Sequence, residues 1–399
     1  MKKRFCYKFL IINFKYKFYG EKYLLDQDLN YNFIYVDDQN KMSFLLQEIK
    51  YVKVIALDTE FIRSDTYFPI LSLIQIAFQN KLNQKKIFII DCLQNLDLEP
   101  FLAIIYDPNI IKIFHSAVQD LQIFFHKTKQ RPRSIVDTQL MANFCGFSAN
   151  IGYARLVENI FGKTIDKKLQ RSDWVKRPLA RKQLEYATLD VFFLNEIYLE
   201  LNKNLIKNNR QQFYLEEIEK FIDHVISDNK KNLLKNFIFP KRNPRISMFL
   251  KNIIFWREEQ AKKLNIPRQH FIMDNQLYEI INNKKLPNHI LDKIDQQAID
   301  KFNNIFQNEL LQDNLSSSID DNDYALNNQQ KIIFLEAKKI ISKIARSENI
   351  SEQFLLNTND LKKIIIEPEK FLNNSQQILG NWRYCLIFED LAKLLKINL

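Results

Sequence analysis

Six residues, Ala56-Leu57-Asp58-Thr59-Glu60-Phe61, constrain this chain more than any other stretch. They complete an apolar run from Val52 to Leu57, rich in β-branched residues, that spells a buried strand. Side chains on a strand alternate between faces, so Asp58 and Glu60 project to the same side, roughly 7 Å apart. Carboxylates at the mouth of a buried strand repel each other and lose hydration. Two arrangements relieve that: the pair faces water at a strand edge, or a divalent cation binds between them. The remainder of the chain bears on the choice.

A helix is predicted over Met42–Lys50, with Phe44, Leu45 and Ile49 on one side. The strand ending at Asp58 follows, then a loop from Arg63 to Pro69, then strands Leu71–Phe78 and Lys86–Asp91. Three strands with such short connections make an antiparallel meander. A short strand, Ile111–Phe114, runs into His115-Ser116-Ala117-Val118-Gln119-Asp120. Ser116 followed by Gln119 has the form of a capping box, which starts a helix there. Asp120 then lies in the first turn, where the macrodipole favours an anion with or without chemistry. Ser134–Thr138 is another strand-like piece, with Asp137 capping a helix that runs through Asn143. Gly162-Lys163-Thr164 is not a phosphate loop: that motif needs glycine at position 157, where Val stands. Pro178 opens, as its first residue, a helix from Leu179 to about Asn202. On it Tyr186 and Asp190 share a face one turn apart. Leu184, Leu189, Phe193 and Leu194 mark the apolar side, and Asp190 abuts it, where an acid requires a partner.

The 399 residues suggest two or three domains, and 46% hydrophobic content is enough for real cores. A net charge of +11 fits a polyanionic partner, although abundant Lys, Asn and Ile equally reflect compositional bias. Cys6, Cys92, Cys145 and Cys385 are far apart, which fits a reducing compartment and excludes a sequence-local zinc knuckle. No apolar run reaches the ~18 residues of a membrane span. Residues 1–30 are basic and aromatic, without the apolar core of a signal peptide or the Arg/Ser richness of a transit peptide. They read as an extension or as a strand added at a sheet edge.

Three segments together resemble a known family. Asp58-Thr59-Glu60-Phe61, His115-Ser116-Ala117-Val118-Gln119-Asp120-Leu121 and Tyr186-Ala187-Thr188-Leu189-Asp190-Val191 look like the three exonuclease motifs of the DEDD superfamily, Tyr subtype. Leu73-Ile74-Gln75-Ile76 and Gln170-Arg171-Ser172-Asp173-Trp174 with Arg177-Pro178-Leu179 resemble bacterial ribonuclease D in particular. Each motif is weak by itself; three in order, with these flanks, are specific. The resemblance covers roughly residues 33–205 and implies a ribonuclease H-like α/β fold. It implies catalysis by Asp58, Glu60, Asp120, Tyr186 and Asp190, with the four acids holding two divalent cations, Mg²⁺ or Mn²⁺. Asp58 would bridge both ions, Glu60 and Asp190 hold the nucleophile-side ion, and Asp120 serve the leaving-group side. Tyr186 would orient the attacking water; with a free pKa near 10 a phenol is a positioner rather than a strong base. The chemistry agrees: two such ions about 4 Å apart stabilise both ends of an in-line phosphoryl displacement, and they take oxygen ligands. Phe61, Gln75 and His115 are placed to touch the terminal nucleotide or to brace the acids. Arg171, Lys176 and Arg177 form a basic cluster, either a solvated face or a phosphate contact.

The C-terminal half is helical. Ile246, Phe249, Leu250, Ile253, Ile254, Ala261 and Leu264 follow helical spacing after a break at Pro240–Pro244. Trp256 to Ala261, then Asn265-Ile266-Pro267-Arg268, resemble an HRDC domain, the helicase and ribonuclease D C-terminal module. A polar linker spans Gln312 to Gln330, and residues 331–399 resemble a diverged second copy, with Gly380-Asn381-Trp382-Arg383 leading a helix from Leu386 to Leu395. These modules either stabilise the enzyme or capture RNA electrostatically, with Lys262, Lys263 and Arg268 as candidates. The expected layout is an extension over 1–30, the exonuclease domain over 31–205, a helical linker over 206–245, and all-α HRDC-type domains over 246–312 and 328–399.

The expected function is that of a 3′-5′ exoribonuclease releasing nucleoside 5′-monophosphates from RNA, with tRNA precursors and other small RNAs as partners. It is expected to be a monomer in a bacterial cytoplasm, with no membrane and no nucleoside triphosphate. Two rivals remain: a DNA exonuclease, since the acids cannot sense a 2′-hydroxyl, and a non-catalytic nucleic-acid binder, which would be expected to have lost at least one acid or Tyr186.

Overall fold

A computed structural model describes residues 32–63, 65–166, 168–170, 172–227, 233, 234, 237, 239, 243–307 and 326–397. The extension over 1–30 and most of the polar linker lie outside the described residues. The N-terminal part is a six-stranded mixed sheet: β1 Ile34–Val36, β2 Val54–Ile62, β3 Ile70–Gln79, β4 Lys85–Asp91, β5 Ile111–Phe114 and β6 Ile135–Asp137. Their spatial order is β1-β4-β3-β2-β5-β6. β2, β3 and β4 form the expected antiparallel meander, while β1, β5 and β6 run parallel to their neighbours. β2 therefore has an antiparallel partner on one edge and a parallel one on the other. β3 is buried over almost its whole length, as a strand covered on both faces must be.

Among the described residues, eight helices belong to this part: α1 Gln39–Ile49, α2 Glu99–Tyr106, α3 Val118–Thr128, α4 Thr138–Asn143, α5 Tyr153–Phe161, α6 Arg181–Phe192, α7 Leu194–Lys207 and α8 Gln211–Ile226. Four expectations need correction. β2 does not end at Asp58 but runs to Ile62, because its bond ladder with β3 continues through Glu60 and, past a bulge, to Ile62. On α1, Phe44 is 42% exposed and Met42 joins Leu45 and Ile49 in the core. Ser116 forms no capping box: its φ is +64° and α3 has no side-chain cap. Instead the N–H groups of Ser116 and Ala117 donate to the Asp137 carboxylate at 3.2 and 2.9 Å. That same carboxylate caps α4, as expected, by accepting from Gln139 and Leu140. Pro178 is not the first residue of a helix that runs to Asn202; α6 opens at Arg181 and the helical run is broken at Phe193.

Two helical groups follow. The first comprises α9 Pro244–Leu264, α10 Arg268–Phe271, α11 Asp274–Asn283, α12 Asn288–Leu291 and α13 Gln296–Gln307. Phe249, Leu250, Ile253, Ile254 and Ala261 enter its core as their spacing requires, whereas Ile246 and Leu264 are partly buried. The β2–β3 loop packs on this group: Tyr67 N–H donates to the Asn265 carbonyl at 3.2 Å, Phe68 N–H to Asn265 Oδ1 at 3.0 Å, and the Tyr67 hydroxyl to Glu258.

The second group comprises α14 Asn328–Ser347, α15 Glu352–Leu355, α16 Thr358–Ile366, α17 Pro368–Leu379 and α18 Asn381–Ile397. α18 starts at Asn381 rather than Leu386, so Trp382 lies in its first turn. Trp382 is 1% exposed and packs against Phe144, Phe213 and Phe354. Beside it Arg383 holds Glu217 of α8 at 2.7 and 3.1 Å. This is the expected class, an α/β domain followed by two small all-α modules. Among the described residues no helix is long and apolar enough to cross a membrane.

Candidate active site

β2 contributes Asp58 and Glu60, and α6 lies against β2, β3 and β4, which brings Asp190 to them. One carboxylate oxygen from each of Asp58, Glu60 and Asp190 lies within 4.8 Å of the others. The three residues are half-buried, so the cluster keeps an opening to solvent. The fourth acid, Asp120 in the first turn of α3, stands outside that triplet. It is 5% exposed and accepts from the hydroxyl of Thr59.

Burial and mutual repulsion govern the protons here. Burial, then the charges of Asp120, Asp190 and Glu60, hold the Asp58 carboxyl well above the usual carboxylate range. Burial with Asp190 and Asp120 nearby pushes Glu60 up to about 9. Burial likewise raises Asp190, against the hydrogen bond from Tyr186. Asp120 rises to about 6, burial outweighing its bond from Thr59. Carboxylates held this close stay ionised if positive charge joins them. An all-oxygen donor set with room for water suits a hard divalent cation, so the residues fit the group that the fold implies.

Tyr186 lies one turn before Asp190 on α6, and burial followed by the charges of Asp190, Glu60 and Asp58 raises its phenol above the ordinary value. Its ring lies 6.1 Å from Trp174 and packs on Leu73, Ile89 and Ala187. Gln75 is fully buried directly across the ladder from Asp58, and neither polar atom of its side chain has a hydrogen-bond partner. Facing pairs on neighbouring strands share a face, so this amide lies on the acids' side of the sheet. Phe61 is half-buried under the Arg63 guanidinium, 5.7 Å from its ring. The His115 ring is held at both nitrogens, by Thr138 Oγ1 and the Ile151 carbonyl at 2.9 Å each. That engagement is of the bracing kind.

The basic cluster comes out differently. Arg177 is engaged by Asp91, with Nε–Oδ2 2.7 Å and Nη2–Oδ1 2.6 Å, and by the Trp174 carbonyl at 2.7 Å. A guanidinium committed this way clamps Asp91 to the segment before α6, an arrangement neither of the two readings of the cluster included. Lys176 is exposed, and Arg171 lies outside the described residues. In the first helical group Lys263 pairs with Asp295, Arg268 with Glu258, and Lys262 stands over the Tyr67 ring. The motif reading passed over Thr59, because alternation turns it away from Asp58 and Glu60. It also passed over Asp91, whose partner is 86 residues away and leaves no local signal.

Comparison with known proteins agrees with this geometry. A family model described as 3′-5′ exonuclease matches residues 33–206. Ribonuclease D of Bartonella henselae is 30% identical over 357 residues, 86% of this chain and 85% of that protein. Ribonuclease D of a Shewanella species is 29% identical over 377 residues, 91% of this chain and 94% of the relative. The crystal structure of Escherichia coli RNase D superposes with a TM-score of 0.70 at 24% identity, covering 92% of this chain and 99% of the other. That likeness is one of fold, and it extends over the C-terminal helices of this chain, which fit HRDC-like domains. By sequence, by fold and by an acid cluster suited to divalent metal, the chain belongs to the ribonuclease D family of 3′-5′ exoribonucleases.

Proposed function

We propose that the protein trims 3′ extensions from tRNA precursors and other small structured RNAs, releasing nucleoside 5′-monophosphates, with Asp58, Glu60, Asp120 and Asp190 as ligands of two Mg²⁺ or Mn²⁺ ions and Tyr186 as the water-positioning group. The observation that carries this reading is the meeting of Asp58, Glu60 and Asp190 within 4.8 Å, with Tyr186 one turn before Asp190 on the same helix. When bound, the divalent ions would neutralise charge developing on the phosphodiester and acidify the attacking water. Asp58 and Glu60, fixed on a central strand, set where the 3′-terminal phosphodiester must come. Tyr186 stays protonated and, beside Asp190, orients water rather than removing its proton. Asp120, anchored by Thr59, completes the set from the α3 side. Phe61, half-buried on this strand, meets the terminal nucleotide, while His115 and the fully buried Gln75 brace. The catalytic part is taken as 31–205 and the helical modules as 246–312 and 328–399, a division supported for the first module by its own apolar cluster. A base-paired stem does not thread into a site that accepts a single 3′ end, so trimming stalls near the acceptor stem.

The test is digestion of a 3′-extended tRNA and a matched DNA strand, labelled at either end, beside Asp58→Ala and Tyr186→Phe. Shortening of RNA from its 3′ end, lost with chelator and with Asp58→Ala, supports the reading. Equal or faster loss of DNA moves the substrate assignment to DNA.

A further inference from the structure

The helical run that carries Asp190 is broken one turn later, and the break is filled by a side chain. In an uninterrupted helix the Phe193 N–H would bond the Leu189 carbonyl, four residues back. Here Phe193 N–H donates to the Tyr153 hydroxyl at 3.1 Å, and that hydroxyl donates to the Leu189 carbonyl at 2.7 Å. Tyr153, in the first turn of α5, is thus inserted into one rung of the ladder, a recognised cause of a helix bend. On the neighbouring carbonyl, Lys85 Nζ takes Phe192 O at 2.8 Å and pairs with Glu196 at 2.7 Å. The bond that Tyr153 intercepts spans the turn that bears Asp190. The Tyr153 ring also lies 5.7 Å from that of His115, whose nitrogens are fixed by Thr138 and Ile151. The second-motif histidine and the third-motif helix thus meet at one phenol.

We propose that Tyr153, with Lys85, is a positioning residue for Asp190: the intercepted rung fixes the break between α6 and α7 and so the angle at which the Asp190 carboxylate enters the acid cluster. The inference rests on the reading of Asp190 as a metal ligand. Closing the rung moves that carboxylate without touching substrate, so metal affinity and turnover fall while RNA binding does not.

The experiment is calorimetric titration of the RNA-free full-length protein with Mn²⁺, beside steady-state digestion, for wild type, Tyr153→Phe, Lys85→Met, Asp190→Asn and Tyr106→Phe. Tyr106 is a control phenol bonded to the Phe124 carbonyl. Partners that orient a ligand typically account for 10–100-fold in metal affinity. Tyr153→Phe is expected to weaken Mn²⁺ binding about 10-fold and to lower kcat by a similar factor, part of it recovered at high Mn²⁺, with KM for RNA within about twofold. Lys85→Met is expected to shift both in the same direction by a smaller factor, and it carries the test if Tyr153→Phe does not fold. Tyr106→Phe is expected to leave both unchanged. Wild-type Mn²⁺ affinity in Tyr153→Phe and Lys85→Met, or changes no larger than those of Tyr106→Phe, beside a loss in Asp190→Asn, overturns this inference alone. Unchanged affinity in Asp190→Asn overturns the metal-ligand reading and this inference with it.

Discussion

Arg177 grips Asp91 through two hydrogen bonds, at 2.7 and 2.6 Å, at the end of β4. The Asp91 carboxylate is fully buried and also accepts from Tyr35 at 2.5 Å. Burial pushes its pKa up, but the bonds from Arg177, Tyr35 and Gln94 prevail and hold it down at about 2. Losing one member of a buried pair strands the other charge, which costs about 3–5 kcal/mol. Arg177→Met is therefore expected to lower the unfolding free energy measured in urea by an amount in that range while KM for RNA stays within about twofold. A KM rise of about 10-fold without loss of stability would return Arg177 to the substrate site. The folded pKa is depressed, so the pair's contribution is present above the ordinary value of 3.8 and fades as pH falls toward about 2. Acid titration of unfolding should show that loss in wild type and lack it in Arg177→Met.

The acid cluster strains the metal-free fold. In the metal-free fold the Glu60 carboxyl, pushed up by burial to about 9 beside Asp58 and Asp190, must be held protonated at neutral pH, and Gln removes that cost. Glu60→Gln is expected to stabilise the chelator-treated protein by about 1 kcal/mol, within the usual range for relief at a functional site, and to abolish digestion. Melting in EDTA and in Mn²⁺ measures both sides: wild type gains strongly from the ion, the variant little.

Tyr186→Phe keeps the ring against Trp174 and its core cluster but loses the hydroxyl near the acids. A positioned proton-handling group is worth about 10²–10⁴ in rate, and a phenol that orients belongs near the lower figure. Single-turnover digestion should slow by about 10² with RNA affinity unchanged. A rate within about twofold of wild type would remove Tyr186 from the chemistry.

Trp382 anchors the second helical group on the α/β part, packing against Phe144 and Phe213. Large-to-small changes at buried aromatics cost about 3–5 kcal/mol. Trp382→Ala is expected to lose that much in chemical denaturation, with a first transition separating from the second as the module undocks. A single transition at the wild-type midpoint would show that the docking contributes little.

The strands were legible because β-branched runs and the short links between β2, β3 and β4 leave few alternatives. The acids were legible because their spacing carries a family pattern, and Asp58, Glu60 and Asp190 do meet. What escaped lies in tertiary bonding. The Ser116–Gln119 pattern is a capping box on paper, yet Asp137, remote in sequence, supplies the acceptor. Arg177 reads as a basic residue before a catalytic helix, and its partner comes from a strand 86 residues earlier. The break at Phe193 has no Pro or Gly to announce it, because it is made by a phenol from α5. Local pattern specifies elements; long-range polar bonds, which have no period, decide where those elements stop and which charges are already spoken for.

The docking of Tyr67 on the last turn of α9 has a consequence for heat inactivation. The acid-bearing strand ends at Ile62, and the loop that follows is bonded to Glu258 and Asn265 of another core. Two modules so joined share one opening equilibrium at that seam. Fraying of the α9 terminus releases the loop, and the strand then loosens from the end nearest Glu60. Activity should therefore vanish some degrees below the main melting transition, and cooling from that intermediate temperature should restore it without refolding of the sheet.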